Sequence, residues 1–300
     1  MKSMNKVLLA AALGSALVAS SASGQFLANW RFNPNGTGFG GATQITQFLD
    51  IVGPSYVNTT TPVAGAFTFQ ERGAVNISGH DGGSPIGGMP PTQVSALLNL
   101  TGSGTLGGTI LFNSGGTIQV WSDTVPATAF GTTNANPAII YGANDGTLIA
   151  SFTTFCPAPT TTTCGGTIDA SGIPNGTETL TARSTFLAPG YFFSSTGVDL
   201  STLTGSVFGF TTTNASLTTP RAAVLAEIVN KFGGDATFTN CLPGQIGGVN
   251  TAGPCTGTNG QGEFVVGNNG QERLQIPEPA TVALLGAGLI GLALRRRRSA

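Results

Sequence analysis

The one histidine of the chain, His80, is followed directly by Asp81. A histidine beside a carboxylate can serve as the base that activates a nucleophile. No G-x-S-x-G sequence, which would set a serine on a sharp exposed turn, accompanies this pair. Because Gly82 and Gly83 come next, the stretch is typical of an exposed turn. We predict a structural turn here.

Acidic side chains are the second possible source of chemistry, since paired carboxylates hydrolyse glycosidic bonds. The sequence between residues 25 and 276 holds 12 of them, and no local cluster singles out two. Several lie in turn-like stretches that could bind calcium, but the spaced carboxylates of an EF-hand loop are absent. We predict no catalytic residue, no metal ligands and no cofactor, and keep a polysaccharide hydrolase as the third functional hypothesis.

Two segments match the pattern G-x-G-x-x-G, at residues 102–107 and 286–291. A dinucleotide site requires that such a loop open a helix, whose N-terminus then binds the phosphates. The first match is followed by the strand-like residues 109–112, and the second lies in an apolar tail. We predict a nucleotide site at neither.

Aromatic residues could instead stack on sugar rings. Trp121 and Tyr191 are the candidates that we select for this role. Tyr191 begins a run of three aromatic residues, which in a strand would place at least one ring on each face.

The four cysteines form two local pairs, Cys156 with Cys164 and Cys241 with Cys255, each enclosing a turn-rich stretch. Four cysteines allow three pairings, and the turns favour the local one. A zinc site is the competing interpretation, but the chain lacks C-x-x-C spacing and has one histidine. In an exported protein, two disulfides are the simpler prediction.

Between residues 25 and 276, short alternating or β-branched stretches are separated by Gly, Asn, Asp and Ser, which predicts strands and turns. The sequence predicts strands at residues 66–70, 94–100, 109–113, 117–122, 138–141, 147–155, 178–186, 207–212 and 263–266. We therefore expect a mainly β protein with an antiparallel β-sandwich or jelly-roll-like body.

One amphipathic helix is predicted, with Thr219 as N-cap, Pro220 in the first turn and Gly233 as the stop. Val224, Leu225, Ile228, Val229 and Phe232 form an apolar stripe that should pack on the sheet. Glu227 and Lys231 are expected to pair on the opposite face.

The N-terminus has the pattern of a secretory signal peptide. Lys2 and Lys6 precede an apolar run over residues 7–18, and small residues follow it up to Gly24. We assign residues 1–24 to a signal helix that signal peptidase removes, with the mature chain beginning between Ser23 and Gln25.

At the other end, the apolar residues 280–294 lie between Pro277-Glu278-Pro279 and the basic cluster Arg295, Arg296, Arg297 and Arg298. As a helix of 15 residues this segment would be about 22 Å long, which makes it a marginal membrane span against a ~30 Å hydrocarbon core. The arginines would stay on the cytoplasmic side. The prolines predict an extended, accessible tripeptide just outside the membrane.

This C-terminal pattern closely resembles the PEP-CTERM sorting domain. Tripeptide, apolar run and basic end occur in the same order and spacing over residues 277–300. The resemblance implies export through the inner membrane of a Gram-negative bacterium, transient insertion by a transmembrane segment at residues 280–294, and cleavage by an exosortase. It also implies a destination at the cell surface or in the extracellular matrix. It does not name the activity of residues 25–276.

A second resemblance concerns that body. The strings Phe32-Asn33-Pro34-Asn35-Gly36, Ala188-Pro189-Gly190-Tyr191-Phe192-Phe193 and Asp199-Leu200-Ser201 are similar to those of PEP-CTERM proteins associated with flocculation. Members of that group are implicated in holding cells together with exopolysaccharide.

Charge argues against a nucleic-acid partner. Without Lys2, Lys6 and the four terminal arginines, six basic residues remain against 13 acidic ones, a net charge near −7. We therefore expect a non-enzymatic surface or matrix protein that acts in exopolysaccharide-associated biofilm or floc formation. A carbohydrate-binding module is the alternative.

Overall fold

The protein is described here from a computed structural model. It describes residues 25–60, 65–105, 108–167, 176–205, 208–217, 221–232 and 262–276. One compact unit runs from Phe26 to Gln275, and the other, made of residues 1–25 and 276–300, lies almost entirely outside the described residues.

Strands dominate the described residues, and the pairings among β2 to β14 are all antiparallel. In chain order they are β1 (Gln25–Phe26), β2 (Trp30–Phe32), β3 (Thr43–Ile45), β4 (Leu49–Thr59), β5 (Ala66–His80), β6 (Gln93–Thr105), β7 (Thr109–Phe112), β8 (Thr117–Asp123), β9 (Thr147–Thr154), β10 (Gly165–Thr167), β11 (Gly176–Leu187), β12 (Phe192–Phe193), β13 (Phe208–Leu217) and β14 (Gly262–Ile276).

The main sheet closes on itself. The order β4–β5–β6–β8–β9–β11–β13–β14 returns to β4, because β14 pairs with both β13 and β4. β7 pairs with β6 beyond the end of β8, and β10 pairs with β11 beyond the end of β9. β7 and β10 also pair with each other. Opposite halves of the sheet face one another across one core, as in a sandwich, and the predicted mainly β antiparallel architecture is confirmed.

One predicted strand is absent, and six of the described strands, β1 to β4, β10 and β12, were not predicted. Residues 138–141 form no strand, because side-chain oxygens of Asn136 and Asn144 take the backbone N–H groups of Ala138 and Ile140 that a ladder would need. Conversely, β4 was missed. Its alternation is interrupted by Gly53-Pro54, residues that usually end a strand.

The helix packs on the outside of the sheet, as predicted. Helical residues extend from 222 to 231 and contain a π-helix at Val224–Val229. Val224, Ile228 and Val229 are buried against Tyr56 and Ala74 of the sheet. Thr219, Pro220 and Gly233, the predicted cap and stop residues, lie outside the described residues.

The helix differs from the prediction on its polar face, because Glu227 was expected to face solvent and is only 2% exposed. Its carboxylate lies 2.5 Å from Lys231 Nζ and accepts a hydrogen bond from Asn134 N at 2.8 Å. Lys231 donates to three carbonyls of residues 134–139. The loop of residues 134–139 therefore covers Glu227 and Lys231, which were expected to face solvent.

A small three-stranded sheet, β12–β2–β3, lies beside the main sheet, and the loop after β2 contacts it through hydrogen bonds from Thr92 to Asn35 and from Ser122 to Pro34. Its core is aromatic. Trp30, Phe32, Phe192 and Phe193 are all buried, and Phe192 contacts both Trp30 and Phe32. We call this sheet and its loops the end layer, residues 30–45 and 188–203.

Candidate functional site

The closed sheet surrounds a cavity of about 40 Å³ that is lined by three glutamates, Glu71, Glu178 and Glu272. They come from β5, β11 and β14, which the topology brings around one core. The rest of the lining is aliphatic or aromatic apart from Thr211, Thr213 and Asn268. We take this carboxyl cavity as the candidate site.

Each glutamate points inward because of its phase in a strand, where side chains alternate between the two faces. Glu71 is in phase with the buried Phe67, Phe69 and Val75. Glu178 and Glu272 are each two residues from a buried leucine, Leu180 and Leu274. Sequence reasoning missed all three. A glutamate at the apolar phase of an alternating strand is the signal that could have found them.

All the ionisable side chains that line the cavity are acidic, because no lysine, arginine or histidine is among its lining residues. Burial raises the pKa of Glu71, although hydrogen bonds from Ser55 and Asn268 oppose the shift. Burial and the neighbouring Glu71 carboxyl hold the pKa of Glu178 well above its usual range. Burial raises the pKa of Glu272 to about 7. All three shifts therefore favour the protonated, uncharged form of the carboxyls.

A tight polar network lies along one wall of the cavity. Asn268 Nδ2 donates to Ser55 Oγ at 2.7 Å, and the Glu71 carboxyl is hydrogen-bonded to both side chains. Glu71 and Asn268 are 3% exposed and Ser55 is fully buried. The Oδ1 atom of Asn268 is buried with no hydrogen-bond partner among the described residues.

The size of the cavity limits what it can do. Small-molecule sites are usually ~300 Å³ or more, whereas about 40 Å³ holds a few water-sized molecules. Within the described part of the chain, no group of three acidic, histidine or cysteine side chains is placed to hold a metal ion. The site can hold protons and small neutral molecules.

His80 and Asp81 form a structural turn, as predicted. His80 Nδ1 lies 2.9 Å from Asp81 Oδ2, and the Asp81 carboxylate accepts the backbone N–H groups of Thr46, Gln47 and Phe48 at 2.6–3.2 Å. Burial alone would raise the pKa of Asp81, but the hydrogen bonds from His80 and the three backbone N–H groups together outweigh it and lower the pKa to about 2. The carboxylate anchors residues 46–48.

The first glycine-rich match also has a packing role. A Cβ on Gly102 would lie 2.4 Å from the Phe69 ring, and one on Gly104 would lie 2.8 Å from the Phe67 ring. These positions belong to strand β6. Glycine here leaves room for two inward phenylalanines.

Trp121 and Tyr191, the predicted sugar-stacking residues, are both half-buried. Trp121 lies on β8 opposite Ser95 and Leu148, and its ring nitrogen is buried without a hydrogen-bond partner in the described residues. The Tyr191 ring lies over Gly36, where a Cβ would come within 2.6 Å of Cζ. Gly36 also has a positive φ of 66°, so glycine is required there.

The end layer brings together the sequence strings that resemble flocculation-associated proteins. Phe32 pairs with Phe192, and Asn33 N donates to Tyr191 O at 2.8 Å. The Asp199 carboxylate accepts from Gly190 N at 2.7 Å and from Ser201 N at 2.9 Å. Segments more than 150 residues apart in the sequence thus form one structural unit.

Other predicted residues have different outcomes. Cys156 and Cys164 form a disulfide, as predicted. Cys241, Cys255, residues 1–24, the tripeptide Pro277-Glu278-Pro279, the apolar segment 280–294 and the arginines 295–298 lie outside the described residues. In the parts of the chain that are described, none of the helices is both long and apolar enough to cross a membrane.

Comparison with protein families identifies a PEP-CTERM protein-sorting motif at residues 275–298, as the sequence predicted. The chain is thus exported and sorted by an exosortase to the cell surface or extracellular space. No curated protein and no solved structure matches the chain.

Proposed function

We propose that this protein is a non-enzymatic component of the cell surface or extracellular matrix of a Gram-negative bacterium, acting with exopolysaccharide in biofilm or floc formation. The observation that carries the proposal is the sorting motif at residues 275–298. Signal peptidase would remove residues 1–24, and exosortase would act near Pro277-Glu278-Pro279.

The carboxyl cavity supports a non-enzymatic role. Glu71 and Glu178 share a volume of about 40 Å³, which is too small to admit a sugar ring between them. Glycosidases need two carboxyls that flank an accessible glycosidic bond. A polysaccharide hydrolase is therefore the least favoured of the three hypotheses.

The test is deletion of the gene followed by measurement of cell aggregation and of polysaccharide retained with the cells. Both should fall. Complementation with the full chain should restore them, whereas a chain that ends at Gln275 should be exported and lost to the medium. Unchanged aggregation and retention in the deletion strain would contradict the proposal.

Carbohydrate binding by the body is the second candidate function. It is favoured by the partly accessible rings of Trp121 and Tyr191. The purified protein should bind the producer's own polysaccharide, and Trp121→Ala and Tyr191→Ala should weaken binding about tenfold per lost stacking contact. Phe186, a 41% exposed aromatic on β11, provides the control Phe186→Ala. Equal binding by all variants would favour a scaffold without sugar contacts.

A further inference from the structure

Three polar side chains at the wall of the carboxyl cavity, Ser55, Glu71 and Asn268, meet on adjacent strands. Ser55 on β4 lies opposite Val266 of β14 and opposite Gly73 of β5. Asn268 follows two residues after Val266, on the same face, and Glu71 precedes Gly73 by two. Ser55 is thus flanked by an amide on one side and by a carboxyl on the other.

A glycine makes this approach possible. A Cβ on Gly73 would lie 2.3 Å from Ser55 Oγ. Any larger residue at that position would displace the hydroxyl from its place between Glu71 and Asn268. The chain therefore leaves space for a serine oxygen at this point of its core.

The three groups have complementary chemistry. Ser55 offers a hydroxyl nucleophile and Asn268 an amide carbon as electrophile. The Glu71 carboxyl is hydrogen-bonded both to the hydroxyl that would lose a proton and to the amide side chain that would gain one. Ser55 Oγ and Asn268 Nδ2 are 2.7 Å apart, so the hydroxyl lies directly beside the amide group that it would attack.

We propose that Ser55 and Asn268 react within the folded protein to form an intramolecular ester cross-link between β4 and β14, with Glu71 as the catalytic proton shuttle. Ser55 Oγ attacks Asn268 Cγ and forms a C–O bond, and the Cγ–Nδ2 bond then breaks. One Glu71 oxygen takes the hydroxyl proton, and the other gives its own proton to the departing nitrogen. The products are the ester and one ammonia molecule, and Glu71 returns to its neutral form. The reaction requires no oxidant, metal or cofactor.

The surroundings suit such a step. Burial raises the pKa of Glu71, which favours the neutral carboxyl, a group that can act as acid and base together. The three side chains are at most 3% exposed, so an ester would be shielded from hydrolysis. The adjoining cavity of about 40 Å³ can receive an ammonia molecule.

The unpartnered Asn268 Oδ1 is a second reason to expect reaction. A buried amide oxygen without a hydrogen bond costs about 1–3 kcal/mol. An ester carbonyl is a weaker acceptor than an amide carbonyl, and the amide donors leave with the ammonia. The cross-link thus relieves an unsatisfied polar group in the core.

The link would join residues 213 positions apart in the sequence. β14 runs directly into the sorting motif that begins at residue 275. A covalent bond from β14 to β4 would prevent the last strand from being peeled away from the sheet at the end of the body where the chain is processed.

Intact-mass and peptide-mapping measurements on the full chain, expressed in an exporting host, test the proposal. Beyond the about 2 Da lost with each disulfide, the processed protein should be about 17 Da lighter than its sequence requires, from the loss of ammonia. Digestion should give one linked peptide that contains both Ser55 and Asn268, and hydroxylamine under denaturing conditions should separate it. Unlinked Ser55 and Asn268 peptides of full mass in the wild-type protein would overturn the proposal.

An N-terminal Gln25 can also lose ammonia by cyclising, so matched variants are needed. Ser55→Ala and Glu71→Gln should both lack the linked peptide, while Ser55→Thr, which keeps the hydroxyl, should retain it. Glu71→Gln removes a buried acid without changing its shape, and circular dichroism verifies that it folds. A linked peptide in Glu71→Gln would overturn the role of Glu71, and a wild-type ammonia loss confined to Gln25 would overturn the cross-link.

Discussion

Glutamates occupy the interior in two regions, under the helix on the outside of the main sheet and in the cavity inside it. The two regions differ in the partners that their carboxyl groups have. On the outer face, Glu227 lies 2.5 Å from Lys231 and also accepts backbone N–H groups. On the inner face, Glu71, Glu178 and Glu272 line a cavity without a cationic side chain among its lining residues. The outer carboxylate is part of an ion pair, whereas burial raises the pKa of the inner carboxyls and favours their neutral form.

The difference shows two solutions to one problem. A buried carboxylate needs either a counterion with enough hydrogen bonds or a proton. The outer region has the loop carbonyls that Lys231 requires, since Lys231 donates to Asn134, Asn136 and Ile139 at 2.6–2.9 Å. The inner cavity is lined by strand residues, whose backbone carbonyls serve the hydrogen-bond ladders of the sheet. Stability should therefore depend on charge in the outer region and on pH in the inner one.

Breaking the outer pair should have the largest effect. Lys231→Met leaves Glu227 buried without its counterion and should lower the free energy of unfolding by about 3–5 kcal/mol at pH 7. Urea denaturation measures the change. The double variant Lys231→Met/Glu227→Gln is the control and should recover part of the loss. A loss below about 1 kcal/mol would mean that the pair behaves like an exposed one.

The inner region should make the protein more stable in mild acid. The pKa of Glu272 is raised from 4.5 to about 7, so the folded state binds more protons than the unfolded state between these values. This contribution is fully present below pH 4.5 and is lost as pH rises through about 7, a change of about 3 kcal/mol at ~1.4 kcal/mol per pH unit. The raised pKa values of Glu71 and Glu178 act in the same direction.

Glu272→Gln sharpens this test. The variant and the wild type should unfold at the same urea concentration near pH 4.5, and the variant should be the more stable of the two at pH 8. A wild-type stability that is constant between pH 4.5 and 8 would contradict protonated inner carboxyls.

The smallest effect should come from Asp81, whose pKa shift is opposite in direction to that of Glu272. Its pKa is lowered to about 2, so its contribution is present above pH 3.8 and is lost as pH falls through about 2. Asp81→Asn weakens the hydrogen bonds to residues 46–48 and should cost about 1–2 kcal/mol at pH 7. Thermal unfolding at pH 7 and pH 2 measures it. A difference that persists unchanged at pH 2 would show that the charge of Asp81 is not its source.

Much of the local structure follows from the sequence. Alternation located most strands, because a half-buried strand fixes which side chain faces the core. The His80–Asp81 turn and the Cys156–Cys164 disulfide followed from neighbouring residues alone. The apolar stripe of the helix was predicted from the spacing of its own apolar residues.

The candidate site could not be predicted in the same way. Glu71, Glu178 and Glu272 meet because β5, β11 and β14 close into one sheet, and such pairing between distant segments is not encoded in any local pattern. Glu227 was assigned to the solvent face because the helix period alone does not reveal the loop 134–141 that covers it. In both cases the missing information is tertiary.

The closure of the main sheet also bears on how copies of this protein could assemble. Each of its eight ring strands has a hydrogen-bonded neighbour on both sides over part of its length, which leaves little backbone free to recruit a strand from another molecule. Within the described residues, β3 and β12 are the outer strands of the small sheet, and they are only three and two residues long. A crowded extracellular layer of such molecules would resist amyloid-like fusion, and its cohesion would have to come from side chains or from a polymer between the molecules.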